Sequence, residues 1–197
     1  RDRQNARLRR QAARADAGIT SGLAFTLLKW MLKNECRCGR IPRQMKQKPK
    51  AIALFCGAGG LSLGFKRAGF DILFSTDIDA DAVQSYKTFF PSANVCQGDI
   101  RQLDPASLPG NIDILLGGPP CQGFSSAGQK FWADERNKLL TEYIRVLDAL
   151  RPKWFLMENV EGLLTAWDGH YICEAVKAFL SLGYNVTLEK IYAHAYG

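Results

Sequence analysis

The chain has 197 residues, 47% of them hydrophobic and 23% charged, the composition of a globular domain with a sizeable core rather than of a disordered or fibrous chain. No apolar run approaches the roughly 20 residues needed to cross a bilayer, which argues against a membrane-spanning protein. The net charge of +7 is uneven: residues 1–50 hold fourteen Lys and Arg against three acids, net +11, whereas the other 147 residues hold twelve bases and sixteen acids, net −4.

Residues 1–50 read as a basic extension. Residues 1–17 are Arg-rich and core-poor, 18–33 have the pattern of a short amphipathic helix, and 34–50, with Pro42 and Pro49, read as a linker. A basic arm suits nucleic acid or an acidic surface, and equally a solvated tail. An Arg-rich, acid-poor leader also has the character of an organelle transit peptide, and a first residue that is Arg rather than Met suggests a fragment. The six cysteines form no disulfide framework and there is no signal-peptide pattern, which suggests a reducing, cytosolic setting. Cys36 and Cys38 form only a C-x-C pair, short of a zinc site, and no metal is expected. His170 and His194 lack metal-ligand companions and receive no role.

From residue 51 onward the pattern becomes regular. Short apolar runs at 51–55, 71–76, 93–97, 112–116 and 153–157 predict strands, and 184–193 predicts a sixth. Helices are predicted over 61–69, 79–90, 135–151 and 169–182. Strands alternating with helices imply βαβ units: an α/β, Rossmann-like parallel sheet with helices on both faces, forming one domain over 51–197. Ligands on such sheets bind beyond the carboxyl ends of the strands, which gathers the loops after 55, 76, 97, 116 and 157 around one site.

The first of those loops is CGAGGLS. Gly57, Gly59 and Gly60 allow a tight turn and close approach of a ligand, although the third glycine of the dinucleotide fingerprint is replaced by serine. Asp77 follows Gly57 by 20 residues, where a ribose hydroxyl is usually held, and Asp99 ends the third strand. Together they point to an adenosine-containing cofactor, with NAD and S-adenosylmethionine both open. The loop after the fourth strand, GGPPCQGFSSAG, carries Cys121 on a rigid turn, either as a small buried side chain or as a nucleophile. Cys56, Cys96, Cys173 and Trp154 read as core.

LFCGAGGLSLGF, PPCQGFS and MENV, in that order and at those intervals, resemble the cytosine-5 DNA methyltransferase family from about residue 51 to the last residue. The resemblance implies S-adenosylmethionine across the first half of the sheet and a flipped-out cytosine of double-stranded DNA beside the fourth and fifth strands. It implies that Phe55, Ala58 and Gly60, with Gly57 and Gly59, line the cofactor, that Asp77 holds the ribose and that Ile78 packs on adenine. Asp99 and Ile100 would contact the base, and Pro120 and Leu139 would close the methionine end. Cys121 would add to C6 of cytosine, and Glu158 would protonate or hydrogen-bond N3, provided burial raises its pKa. Gln122, Ser125 and Asn159 are implied on the substrate side, Asn159 ordering its turn. Lys130 and Arg136 suit phosphate contacts and equally solvated charges.

Two departures qualify the resemblance. Ala53 stands where the family has Asp, and the chain stops before the Arg-rich motif and target-recognition domain the family carries. The expectation is therefore the catalytic half of an enzyme, a fragment, a decayed copy or one subunit completed by a separate recognition subunit, and weak in isolation. A cytoplasmic, nucleoid-associated location follows. The competing readings are a tRNA cytosine-5 methyltransferase, a non-catalytic nucleic-acid-binding chain and, least compatible with these motifs, a NAD-dependent oxidoreductase.

Overall fold

The computed structural model describes residues 47–120 and 138–192. Residues 1–46, including Cys36 and Cys38, and residues 121–137 and 193–197 lie outside it. The compact unit that carries the sheet runs Lys48–Val186. No helix among the described residues is long and apolar enough to cross a membrane.

Five strands form one parallel sheet: β1 (Lys50–Leu54), β2 (Asp71–Asp77), β3 (Val95–Gln97), β4 (Ile114–Gly117) and β5 (Trp154–Met157). Their spatial order is β3-β2-β1-β4-β5. β1 pairs with β2 on one side and β4 on the other, with Ile52 opposite Leu115. Ala51, Ile52, Ala53 and Leu54 are all buried, so the strand is apolar on both faces, as a central parallel strand must be. The chain moves outward from β1 to β3 and then crosses to β4, so the strand order reverses between β1 and β4.

The predicted helices are found as α1 (Gly60–Arg67), α2 (Ala80–Phe89), α3 (Lys138–Leu150) and, after the short α4 (Gly162–Thr165), α5 (His170–Ser181). Leu140, Tyr143, Val146 and Leu147 are the buried stripe of α3, and the spacing is helical. The Tyr143 and Phe179 rings meet edge-on at 6.4 Å, and Phe155 of β5 lies 4.4 Å from Phe179, so α3, α5 and β5 share one core. Asp79 caps α2, accepting from the Asp81 and Ala82 N–H groups at 2.8 and 3.0 Å. Three-residue 3₁₀ turns at Ile100–Gln102 and Pro105–Ser107 follow β3.

Three expectations change. The sixth strand over 184–193 is absent: residues 184–192 join no ladder, and residue 193 lies outside the described residues. Gly183 turns the chain back with φ 87° and Tyr184 packs on Phe155 at 5.2 Å, its hydroxyl donating to the Pro152 carbonyl at 2.8 Å. Beyond it Leu188, Ile191 and Tyr192 are exposed, so the apolar residues here form no buried face. Cys96 is exposed on the short outer strand β3, and Cys56, Cys173 and Trp154 are half-buried rather than core.

Asp113 ties the amino end of the sheet. Its carboxylate accepts from the Lys50 N–H at 2.8 Å and pairs with Lys153 at 2.9 Å. Its own N–H donates to the Lys50 carbonyl at 2.8 Å, and its carbonyl accepts from the Trp154 N–H at 3.0 Å, linking β1, β4 and β5. Burial pushes this carboxyl up, but the Lys50 N–H and the Lys153 ammonium outweigh it and hold its pKa below the usual aspartate value. The folded pKa is the lower one, so the stabilisation is present above the unfolded value of about 3.9 and is lost as pH falls through the folded value. Asp113→Asn should lower the unfolding midpoint at pH 7 and flatten its fall below about pH 4; an acid limb as steep as that of the unchanged protein would contradict this role.

Two glycines are required by packing. A Cβ on Gly59, which has φ 96°, would lie 2.7 Å from the Phe90 ring and 2.9 Å from Tyr86. A Cβ on Gly117 would lie 2.6 Å from Tyr143. Gly64, within α1, has open space around the same position. Denaturant titration should show Gly59→Ala and Gly117→Ala each losing about 1–3 kcal/mol, whereas Gly64→Ala should gain up to about 1 kcal/mol through helix propensity. Equal effects at all three sites would refute the packing argument.

Candidate active site

The carboxyl ends of the strands open into a cleft of about 600 Å³. Phe55 lines it after β1; Thr76, Asp77 and Ile78 line it at β2; Gly98, Asp99, Ile100 and Arg101 line it after β3. Gly118 and Pro120 contribute after β4, and Lys138 and Leu139 from the start of α3. Seven of the residues expected at the cofactor therefore meet in one place: Phe55, Asp77, Ile78, Asp99, Ile100, Pro120 and Leu139. The cleft sits at the reversal of strand order, where this sheet topology leaves a crevice between diverging connections.

The first loop is built around Asp77. One carboxylate oxygen accepts from the Gly57 N–H at 2.8 Å and the other from the Asp79 N–H at 3.0 Å. A carboxylate has about four acceptor positions, so two remain for a ligand. The loop turns through two left-handed residues, Phe55 (φ 51°) and Gly57 (φ 52°), the first an unusual state for a bulky side chain. The Cys56 N–H donates to the Thr76 carbonyl at 3.0 Å, carrying the β1–β2 pairing into the turn. Burial and then the charge of Asp77 push the Cys56 thiol up to about 12, so it stays protonated at neutral pH and is no nucleophile. Gly57, Ala58, Gly59 and Gly60 are not part of the cleft lining. Gly57 is tied to Asp77 and Gly59 accommodates α2, so both have a structural explanation, while Ala58 and Gly60 are exposed.

Asp99 caps the first 3₁₀ turn, accepting from the Arg101 N–H at 2.9 Å, and pairs with the Arg101 guanidinium through Nε at 2.8 Å. Those hydrogen bonds hold its carboxyl below the usual aspartate value. Ile78 is 62% exposed, an apolar surface open to a planar ligand. Ile100 is buried, and thus anchors its turn.

The other end of the site joins two turns. The Glu158 N–H donates to the Gly117 carbonyl at 2.9 Å, extending the β4–β5 ladder. Asn159 donates through Nδ2 to the Pro119 carbonyl at 2.7 Å and accepts from the Val160 N–H at 2.9 Å, so its side chain joins the two turns. The Glu158 carboxyl packs over Gly118, where a Cβ would lie 3.1 Å from Oε2. Glu158 is exposed, so the burial expected around it is not found. Cys121, Gln122, Ser125, Lys130 and Arg136 lie outside the described residues. No cluster of three or more metal-ligating side chains occurs among the described residues.

Thr76, Gly98, Arg101, Gly118 and Lys138 line the cleft without having been singled out in the sequence. Each adjoins an expected residue at a strand end or helix start, so the strand-end rule applied to whole loops finds them.

The model of the C-5 cytosine-specific DNA methylase family matches residues 50–197. The type II methyltransferase M.AgeI of Thalassovita gelatinovora is 42% identical over 156 residues, covering 75% of this chain and 36% of that protein. M.NgoPII of Neisseria gonorrhoeae is 40% identical over 149 residues, covering 75% of this chain and 44% of that protein. The chain thus spans less than half the length of these relatives. Among solved structures, a protein described as a DNA modification methyltransferase encoded within an E. coli prophage superposes with TM-score 0.57 at 35% identity, covering 68% of this chain and 38% of that one. Spodoptera frugiperda DNMT2 superposes with TM-score 0.51 at 28% identity, covering 66% of this chain and 41% of that one. With its motifs at the ends of these strands and a family match across three quarters of its length, the chain belongs to the C-5 cytosine-specific DNA methylase family.

Proposed function

We propose that this chain is the N-terminal catalytic portion of a DNA cytosine-5 methyltransferase, active when a recognition domain or separate recognition subunit completes it. The observation that carries the reading is the placement of the Glu158 carboxyl against Gly118. It sets the acid beside Gly118, which lines the cofactor cleft together with Pro120, the residue before Cys121.

The residues present suit S-adenosylmethionine. Ile78 offers an apolar face for a purine, Asp77 has acceptor positions for ribose hydroxyls, and Asp99 is an acceptor for an exocyclic amine. Ile100, Pro120, Leu139 and Phe55 shape the rest, with Gly57 to Gly60 close by. Bound there, the cofactor supplies an electrophilic methyl group.

The remaining chemistry belongs to the chain. C5 of cytosine is a weak nucleophile, so Cys121, as thiolate, adds to C6 and the ring electrons move to C5. Glu158 hydrogen-bonds or protonates N3 and draws off the charge that develops there. Once C5 carries the methyl group, loss of the C5 proton to a base and β-elimination restore the ring and free the Cys121 thiolate. A base inside a duplex cannot be reached, so the cytosine is extruded at a cost of roughly a few kcal/mol. Gln122 and Ser125 meet the DNA near the thiol, and Asn159 holds the turn that carries Glu158. The working location is the cytoplasm, at the nucleoid.

S-adenosylhomocysteine binding by calorimetry tests the cofactor half. The chain should bind it weakly, and Asp77→Asn should weaken it about tenfold, the loss of one charge-assisted contact; no binding at saturating ligand would sink the reading. Labelled methyl transfer tests the chemistry. This chain alone should transfer only traces to duplex DNA, and a recognition region added in trans should restore transfer that Cys121→Ser abolishes. Robust transfer by the chain alone would overturn the dependence on completion, transfer to tRNA in preference to DNA would change the substrate, and DNA binding through residues 1–50 indifferent to Cys121→Ser would favour a non-catalytic role.

A further inference from the structure

Arg145 does not line the cleft, but it connects two of the cleft's walls. It lies midway along α3, whose first turn contributes Leu139 to the cleft. Its Nη2 donates to the carbonyls of Ile100 and Leu103 at 2.9 and 3.0 Å, across 45 and 42 residues of sequence. Its Nε donates to Glu142 Oε2 at 2.6 Å, one turn back on the same helix. The guanidinium is thus oriented from its own helix and aimed at the turn that carries Asp99, Ile100 and Arg101.

That turn needs support. It is held by two i→i+3 bonds, the Gln102 N–H on the Asp99 carbonyl at 2.9 Å and the Leu103 N–H on the Ile100 carbonyl at 3.1 Å. A three-residue 3₁₀ turn has few bonds of its own and leaves carbonyls unsatisfied at its end. Arg145 satisfies the Leu103 carbonyl at that end and adds a second, charge-assisted bond to the Ile100 carbonyl, which already closes the turn. The arrangement uses the fork of a guanidinium, which reaches two carbonyls and a carboxylate together; an ammonium could not match that geometry.

We propose that Arg145 is a positioning residue of the cofactor cleft: it sets the turn bearing Asp99 and Ile100 against α3 and so fixes the base-recognising wall. The inference rests on the S-adenosylmethionine reading above. Arg145 itself touches no ligand. Its effect passes through Asp99, and it should therefore appear as a loss of discrimination at the purine's exocyclic group.

The test compares S-adenosylhomocysteine with S-inosylhomocysteine, in which the exocyclic amine is replaced by a carbonyl. Dissociation constants are measured for the unchanged chain, Arg145→Met and Arg145→Lys, together with unfolding midpoints and hydrogen exchange at the Gln102 and Leu103 amides. The unchanged chain should prefer the adenine ligand. Arg145→Met should raise its dissociation constant about tenfold, the lower end of what supporting partners behind a ligand contact contribute at metal sites, while the inosyl ligand changes little. Exchange at the two amides should quicken, and Arg145→Lys should recover part of the preference. Should Arg145→Met fail to fold, Arg145→Lys still reads the ratio. An unchanged ratio, whether both ligands weaken in proportion or neither weakens, overturns the role of Arg145 and leaves the cofactor reading intact. If the unchanged chain binds neither ligand, the cofactor reading fails and this inference fails with it.

Discussion

The parallel pairing of β1 with β2 on one side and β4 on the other is the constraint on which the site depends. Parallel pairing sends every strand's carboxyl end to the same edge. Residues far apart in the chain, Phe55, Asp77, Asp99 and Pro120, arrive at one cleft for that reason alone. The reversal of order between β1 and β4 then parts the connections and leaves room for a ligand. At the opposite edge, Asp113 joins β1, β4 and β5 through main chain and side chain, so that the register of Ile52 opposite Leu115 is held from the end remote from the chemistry.

One device recurs along the upper edge. Asp79, Asp99 and Asp104 each follow a strand or turn and accept from N–H groups two or three residues on. Such acids need no ligand to account for them, because capping satisfies donors that a helix start leaves open. Asp77 differs. It bridges the N–H groups of two separate loops, Gly57 and Asp79, and keeps acceptor capacity toward the cleft. Asp99 combines both characters, since its cap and its Arg101 pair leave it as an oriented acceptor. Spacing in the sequence marks Asp77 and Asp99 alike, and only the hydrogen-bond partners separate their surroundings.

Four of the five strands were legible because each contains a short apolar run closed by glycine, proline or acids, whereas β3, Val95–Gln97, followed from the βαβ alternation; the long helices were legible because their buried residues recur at helical spacing, as in α3. Residues 184–193 show what periodicity lacks. Alternating Tyr184, Val186 and Leu188 describe a chain that is able to lie on a sheet, but a strand also needs a partner, and the pattern does not name one. The 3₁₀ turns after β3 were not legible either, since three residues carry no period. Within the site, the packing role of the glycines was the least legible. Gly59, read for ligand approach, also makes room for Tyr86 and Phe90, and Gly117, not singled out for such a role, makes room for Tyr143. A missing side chain records a close approach without saying what approaches. The acids and Pro120 were legible because strand ends could be located, whereas Arg145 was not, because its carbonyl partners lie more than 40 residues away.

α3 carries this argument further. Tyr143 is wholly buried beneath Gly117, its hydroxyl donating to the carbonyls of Leu115 on β4 and Leu156 on β5 at 3.2 and 3.3 Å. Two residues on, Arg145 holds the turn after β3. One helix therefore registers both the turns that lead to Cys121 and Glu158 and the turn that bears Asp99. On the reading proposed above, these are the methyl-accepting and methyl-donating ends of one reaction, and their separation must be kept to a fraction of an ångström for a displacement to proceed. A single rigid element anchored on both turns through Tyr143 and Arg145 meets that demand better than two loops adjusted independently. Glu158 stands outside this rigid frame only in being exposed, which, on the same proposed reading, suits a group that an incoming planar base would cover. The protein then supplies fixed distances, and the substrate supplies the enclosure.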